Sequence, residues 1–275
     1  MYRKPMMALL GGALLGLGLS LSAMASDGKI EVHWIGHAAF KITSVDGKVI
    51  VIDPFITKNP KLPAESKNLD ALGKIDVILV THGHVDHVGD SFDLAKKHKA
   101  PVYAPAGLNQ TFLNLGILPA ELAPRMNKTG TVTPLGPKIK ISMVRAEHSS
   151  EFVWKNPLTG KDETQVGGEP VGFVIEFENG FKVYHMGDTG LFGDMRLIHE
   201  YYRPDLILIP IGGHFVMDPK AAAYATKEML KPKFAIPMHY GTIPVLKGTP
   251  EEYQQAMGES PIKVLAWKPG DRMRF

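Results

Sequence analysis

One run of seven residues, Thr81-His82-Gly83-His84-Val85-Asp86-His87, carries three imidazoles and a carboxylate in the spacing H-x-H-x-D-H. At the frequencies of His and Asp in this chain the pattern is expected by chance only about a thousandth of a time, so it is read as a metal-binding motif and not as a solvated loop. Residues two apart in an extended segment point the same way, which lets His82 and His84 share one ion. The turn that follows offers Asp86 and His87 to another. Imidazole and carboxylate suit zinc, iron, manganese, nickel or cobalt, and the donor types alone do not choose among them. The chain has no cysteine, which removes thiolate metal sites, disulfides, a cysteine nucleophile and a lipidated N-terminal cysteine. Its eleven histidines become the residues to follow.

The motif directly follows a short apolar run at 77–80, so it is expected at the end of a strand. Other short apolar or alternating runs, bounded by Gly, Pro or Asp, predict strands over 30–35, 38–42, 49–52, 139–144, 172–177, 182–186, 206–209, 234–236 and 262–266. Helices are predicted over 92–99, 108–115, 191–201, 219–230 and 250–257, with Asp218 as an N-cap and Pro219 in the first helical position. Early hairpins followed by strand–helix alternation mean sheets covered by helices, an α+β architecture packed in layers. The stretch 149–170 has Pro, Gly and charge but little periodicity and reads as a long functional loop. No repeat or low-complexity linker divides the chain, and one domain over 26–275 is the economical reading.

Composition bounds the rest. With 275 residues, 44% hydrophobic and 21% charged, disorder, collagen and coiled coil are excluded. Arg3 and Lys4, an apolar Leu/Gly/Ala stretch and Ala23-Met24-Ala25 have the order of a secretory leader cleaved after Ala25, which predicts export to the periplasm. An uncleaved anchor is the alternative, since the 19 residues from Met6 to Met24 are just enough to span a bilayer. The formal charge of +3 falls to +1 once residues 1–25 and their two cations are removed. A nearly neutral protein is not expected to bind nucleic acid, and without a second long apolar run it is not expected to stay in the membrane. A small molecule is the expected partner, and the oligomeric state is unreadable.

The H-x-H-x-D-H motif at a strand end resembles that of the metallo-β-lactamase superfamily, whose fold is a four-layer αββα sandwich. The resemblance spans nearly all of the chain after the leader. It implies further ligands in the expected order, each after a predicted strand: His148 in Ala146-Glu147-His148-Ser149, Asp188 in Met186-Gly187-Asp188-Thr189-Gly190, and His239 in Pro237-Met238-His239-Tyr240-Gly241-Thr242. On that match His82, His84 and His148 would hold one ion, Asp86, His87 and His239 a second, and Asp188 would bridge them. Two divalent ions are implied, zinc first, with manganese, nickel, iron or cobalt as alternatives. Gly36-His37-Ala38, Ile52-Asp53-Pro54-Phe55 and Pro210-Ile211-Gly212-Gly213-His214-Phe215 resemble the poorly characterised branch of metal-dependent hydrolases, which is similar to ascorbate-phosphate lactonases and N-acylphosphatidylethanolamine phospholipases. By the same resemblance Asp53 supports the ligand loop through hydrogen bonds, with a simple turn residue as the alternative. His37 and His214 are candidates either to meet substrate or to be structural hydrogen-bonding groups. Trp154 either rims the site or covers core, His98 among lysines belongs to the surface, and His33, His185 and His199 belong to packing or surface.

The implied activity is hydrolysis by a hydroxide shared between the two ions, oriented by Asp86, on a lactone, phosphodiester or related ester or amide. Three readings compete with it. A β-lactamase is disfavoured by Asp188 in its Gly-Asp-Thr setting. An iron-dependent oxidoreductase like the persulfide dioxygenases shares the fold, whereas flavo-diiron enzymes have Glu in the place of His84. A non-catalytic metal-binding protein would be expected to have lost some of the seven ligands.

Overall fold

Strands such as Val77–Leu79 and Leu206–Pro210 are apolar at every position, the mark of strands covered on both faces. In the computed structural model, which describes Met1 and residues 27–275, this is what the chain does with them. The leader expected over residues 1–25 otherwise lies outside the described residues. The first half runs through β1 (Glu31–Gly36), β2 (Ala39–Thr43), β3 (Val49–Ile52), β4 (Val77–Leu79), α1 (Val85–Val88), α2 (Ser91–His98), β5 (Val102–Pro105), α3 (Ala106–Asn114) and β6 (Arg125–Met126). The second half continues with β7 (Thr131–Val132), β8 (Lys140–Arg145), β9 (Glu151–Lys155), β10 (Asp162–Val166), β11 (Val171–Glu176), β12 (Lys182–His185), α4 (Met195–Tyr202), β13 (Leu206–Pro210), α5 (Pro219–Tyr224), β14 (Phe234–Met238), α6 (Pro250–Met257), β15 (Lys263–Val264) and β16 (Arg272–Arg274).

Two seven-stranded mixed sheets result, in the orders β16-β1-β2-β3-β4-β5-β6 and β15-β14-β13-β12-β11-β8-β7. In each, hairpin-linked strands pair antiparallel and the strands reached through crossovers pair parallel. The two-residue period of a strand then sorts the side chains. Trp34, Ile50, Ile52, Leu79, Phe173, Ile175, Leu206 and Leu208 fill the space between the sheets. Their neighbours Val51 and Ile78 face Leu94, Leu108 and Phe112 of α2 and α3, while Val174, Ile207 and Ile209 face Met195, Ile198, Ala222 and Tyr253 of α4, α5 and α6. Three apolar clusters separated by two sheets make the four layers αββα, a metallo-β-lactamase-like fold.

Several elements differ from the sequence expectations. The expected loop over 149–170 holds the hairpin β9–β10, paired from Glu151↔Val166 to Lys155↔Asp162. Its strands alternate, but mostly with polar residues, so only Phe152 and Trp154 reach the core, and both pack on the cluster under α2 and α3. Trp154 thus covers core and does not rim the site. β5, β6, β7 and β16 are two to four residues long, below the length at which a period can be read. Asp218 caps α5 by accepting from Ala221 N, with Pro219 at its start, but the helix expected to Leu230 widens into π turns over Ala225–Leu230. There the Thr226 hydroxyl turns back onto Ala222 O, a contact that competes with regular helix geometry. His98 is half-buried among the exposed lysines at the end of α2. No helix among the described residues is long and apolar enough to cross a membrane.

His185, at the end of β12, ties the two sheets together beneath the site. Its Nε2–H donates to Ala38 O at 2.8 Å and its Nδ1 accepts from Gly187 N at 3.2 Å, with the ring fully buried edge-on to Phe40. Burial holds its pKa below the ordinary histidine value, consistent with this neutral tautomer. His185→Ala removes a buried ring and leaves two backbone groups unpaired. It is expected to cost about 3 kcal/mol and to lower Tm by roughly 6–12 °C in a chain of this size. Thermal unfolding checks this, and an unchanged Tm would show that the bridge between the sheets carries no weight.

Candidate metal centre

All the parts of the candidate site sit at strand ends and the loops that follow them. After β4 the chain passes through His82 and His84 and turns into the single-turn α1, which starts at Val85 and carries Asp86 and His87 on adjacent positions. Gly89 ends that turn with φ +44°, and a Cβ there would stand 2.3 Å from Pro54 O, so only glycine lets the ligand turn lie against the loop after β3. Asp90 clamps the same loop by accepting from the backbone N–H groups of Ile56 and Thr57, each at 2.9 Å. His148 follows β8, Asp188 follows β12 and His239 follows β14.

These seven side chains converge. Asp188 lies at the centre, with Oδ2 at 3.0 Å from His239 Nε2, 3.6 Å from His148 Nε2 and 4.0 Å from His82 Nε2, and Oδ1 at 3.3 Å from His87 Nε2. Three groups of donor atoms could each hold an ion: His82, His84 and His148; His37, Asp86, His87 and His239; and His82, His87 and Asp188. The first two groups share no residue, and the third takes one histidine from each and adds Asp188. His37 joins the second group, with Nε2 at 2.9 Å from Asp86 Oδ2. Nε2 of His87 and of His239 and Oδ1 of Asp188 are buried without hydrogen bonds. Unpaired buried polar atoms are costly, and nitrogen and carboxylate donors left bare around one point fit a divalent cation.

Surrounding groups fix the orientation of these donors. Asp53 is fully buried and accepts from Thr81 N at 2.8 Å, Thr81 Oγ1 at 2.7 Å and His87 Nδ1 at 2.8 Å. A carboxylate on Nδ1 points His87 Nε2 at the cluster. Glu151, on β9, stands 3.0 Å from His84 Nε2, a contact with no sequence signal because the residues are 67 apart. Asp86 is an ionised acceptor, so His37 must carry its proton on Nε2. Its Nδ1 then accepts from Thr242 Oγ1–H at 2.8 Å. His37, Asp53 and His239 all have positive φ, 55°, 45° and 56°, a strained setting for residues with a side chain that persists only where the surroundings over-determine it.

The electrostatics divide the histidines into two kinds. Burial pushes His82 and His148 down, and burial with the nearby His239 takes His37 to about 4, so these rings are neutral at pH 7. Burial also acts on His87 and His239, but the Asp188 carboxylate, with Asp53 and Asp86 around His87, outweighs it. His87 is raised well above the ordinary value and His239 to about 9. Burial favours the neutral acid at Asp86 and Asp188, yet His87 and His239 hold both carboxylates ionised, far below the usual range.

The cluster forms the floor of a cleft of about 510 Å³ lined also by Phe55, Val85, Ser149, Phe215, Thr242 and Ile243. His214 is exposed, and its ring lies edge-on to Phe215. Of that pair it is Phe215 that lines the cleft. Phe215, Val85 and Ile243 escaped the sequence reading because apolar loop residues look like any exposed hydrophobic.

A beta-lactamase superfamily domain matches residues 48–240, and the chain belongs to the metallo-beta-lactamase superfamily. Within it, the chain belongs to the UPF0173 metal-dependent hydrolase family. It is 61% identical over 253 residues to a UPF0173 metal-dependent hydrolase of Polaromonas sp., covering 92% of each chain. It is 57% identical to one of Cupriavidus necator over 250 residues, 90% of this chain and 86% of that one. Among solved structures it is similar to Igni18, a metallo hydrolase of Ignicoccus hospitalis, with a TM-score of 0.74 and 33% identity over 90% of this chain and 98% of that one. The protein is thus a metal-dependent hydrolase.

Proposed function

We propose that the seven converging side chains hold two divalent ions, zinc in the first instance, and that the protein hydrolyses a lactone, phosphodiester or related ester or amide. On this reading His82, His84 and His148 hold one ion, Asp86, His87 and His239 the other, and Asp188 lies between them. The observation that carries it is Asp188 itself, a carboxylate 3% exposed with four imidazole nitrogens within 4.0 Å. When bound, two such ions supply a water acidic enough to attack near neutral pH and polarise the oxygen of the bond being broken.

The chain's own residues do the remainder. Asp86 is 28% exposed on the cleft side, so it is the carboxylate of the cluster that meets substrate and orients the attacking water. His37 holds Asp86 Oδ2 in place and is itself held by Thr242, so the carboxylate does not have to reorganise as charge moves. Asp53 and Glu151 orient His87 and His84 in the same way. The leader-like N-terminus supports an exported, periplasmic enzyme acting on a small molecule.

Metal analysis of the mature protein, with a hydrolysis panel of lactone, phosphodiester, carboxylic ester and β-lactam substrates, tests this reading. Two equivalents of metal and activity lost in His84→Ala are expected. Full activity in His84→Ala, or iron content with oxygen consumption and no hydrolysis, would sink it.

A further inference from the structure

The cleft over the cluster contains no Lys and no Arg among the described residues. Apart from the candidate ligands and His37 it offers two hydroxyls, and both are engaged within the protein: Thr242 with His37 and Ser149 with Glu151 at 3.0 Å. What it does present is apolar. Val85, Phe215 and Ile243 line the cleft with 62%, 52% and 38% of their surface exposed, and Phe55 is buried beside His37 at 5.8 Å between rings. Large exposed apolar side chains around a polar cluster are costly in water unless something covers them. An adjoining depression that shares His148 with the cleft holds Arg145 and Lys128, and each already has a partner. Arg145 pairs with Glu147 at 2.7 Å and Asp194 at 3.4 Å, and Lys128 pairs with Glu169.

A phosphorylated lactone, or a phosphodiester with a further anionic group, would find no cation outside the metals. We infer that the substrate is an uncharged carbonyl compound, a lactone, ester or amide, bearing an alkyl, acyl or aryl group that Val85, Phe215 and Ile243 cover. The inference rests on the hydrolytic reading above and narrows it. In the reaction the oxygen of water bonds to the carbonyl carbon and the C–O or C–N bond to the leaving group breaks. One proton of the water ends on the leaving oxygen or nitrogen, so carboxylic acid plus alcohol or amine equal substrate plus water.

The test is a homologous series on the metal-loaded protein: p-nitrophenyl acetate, butanoate and hexanoate, γ-lactones of matching chain length, and bis-p-nitrophenyl phosphate. Transfer of each methylene from water to an apolar wall is expected to raise kcat/KM about twofold to fourfold, and the phosphodiester is expected to fall below the hexanoate ester. Phe215→Ala and Ile243→Ala should flatten the chain-length dependence, with Phe215→Leu restoring part of it. Binding of the methyl ketones from 2-butanone to 2-octanone, followed by calorimetry, gives a readout without turnover and should tighten by the same factor per methylene. A flat series with preferred phosphodiester turnover overturns the substrate class and leaves hydrolysis standing. No metal-dependent turnover of any of these compounds overturns both.

Discussion

Asp188→Asn is expected to lower kcat/KM at least about a thousandfold on the best substrate found, and to bring metal content below one equivalent per chain. The substitution keeps the shape and one carbonyl oxygen but removes the charge around which His82, His87, His148 and His239 are gathered. A neutral amide turns either an oxygen or an NH₂ toward these nitrogens. It cannot present two anionic oxygens, one toward His87 and one toward His239. The raised pKa values of His87 and His239 have the Asp188 carboxylate as their leading favourable cause, so both rings should titrate lower in the variant. The far-UV spectrum should be unchanged, since β11, β12 and β13 are held by their own ladders and by two apolar clusters. Near-normal activity with two bound metals would remove Asp188 from the centre of the mechanism.

Stripping the metals with a chelator is the second large effect. Turnover should vanish and return on adding back the divalent ion. A ligand present at a thousand times its Kd stabilises the native state by about 4 kcal/mol, so Tm should fall by roughly 8–16 °C on removal. Re-addition should also release protons. At pH 7 His82 and His148 have pKa values below the ordinary histidine range and bind as they stand, whereas His87, raised well above it, and His239, at about 9, carry protons that a cation must displace. Uptake at the Asp86, His87 and His239 group therefore tightens as pH rises from 6 toward 9, and more steeply than uptake at the other group. Calorimetry in buffers of different ionisation enthalpy reads the proton count, and a count of zero at pH 7 would contradict this charge distribution. Without metal the same two rings work in the opposite sense. Their stabilising charge is complete below the unfolded-state value near 6.5 and is lost as pH climbs through 9, so the stripped protein should lose stability on the alkaline side.

Much of this molecule is legible in its sequence. Strands at Val49–Ile52, Leu206–Pro210 and Phe234–Met238 announce themselves because burial on both faces demands unbroken apolar runs. α6 is placed to the residue, its Thr249 and Glu252 completing a reciprocal cap. The cluster His82, His84, Asp86 and His87 is legible from its own spacing, whereas His148, Asp188 and His239 stood out only through the family resemblance. Part of what stayed hidden has one cause, which is long sequence separation. Glu151 meets His84 and Thr242 meets His37 across 67 and 205 residues, and nothing local to these positions records the partner, whereas the support of the ligand loop by Asp53 was expected from the family resemblance. The β9–β10 hairpin was missed because its exposed face removes the hydrophobic contrast on which a strand reading depends.

The donor types belong to the sequence alone: nitrogen and oxygen without sulfur, an order of ligands, and strands long and apolar enough to build two sheets. Folding decided which donors share a point in space and which are held still. His37 and His214 looked equivalent on paper, each a histidine in a glycine-containing turn, and both have positive φ. One is pinned between Thr242 and Asp86 within hydrogen-bond reach of the cluster, while the other is exposed and leaves the cleft wall to Phe215. A ring's chemistry is intrinsic to the residue, but its protonation, its partner and its direction are set by the charges and the burial that distant parts of the chain bring to it.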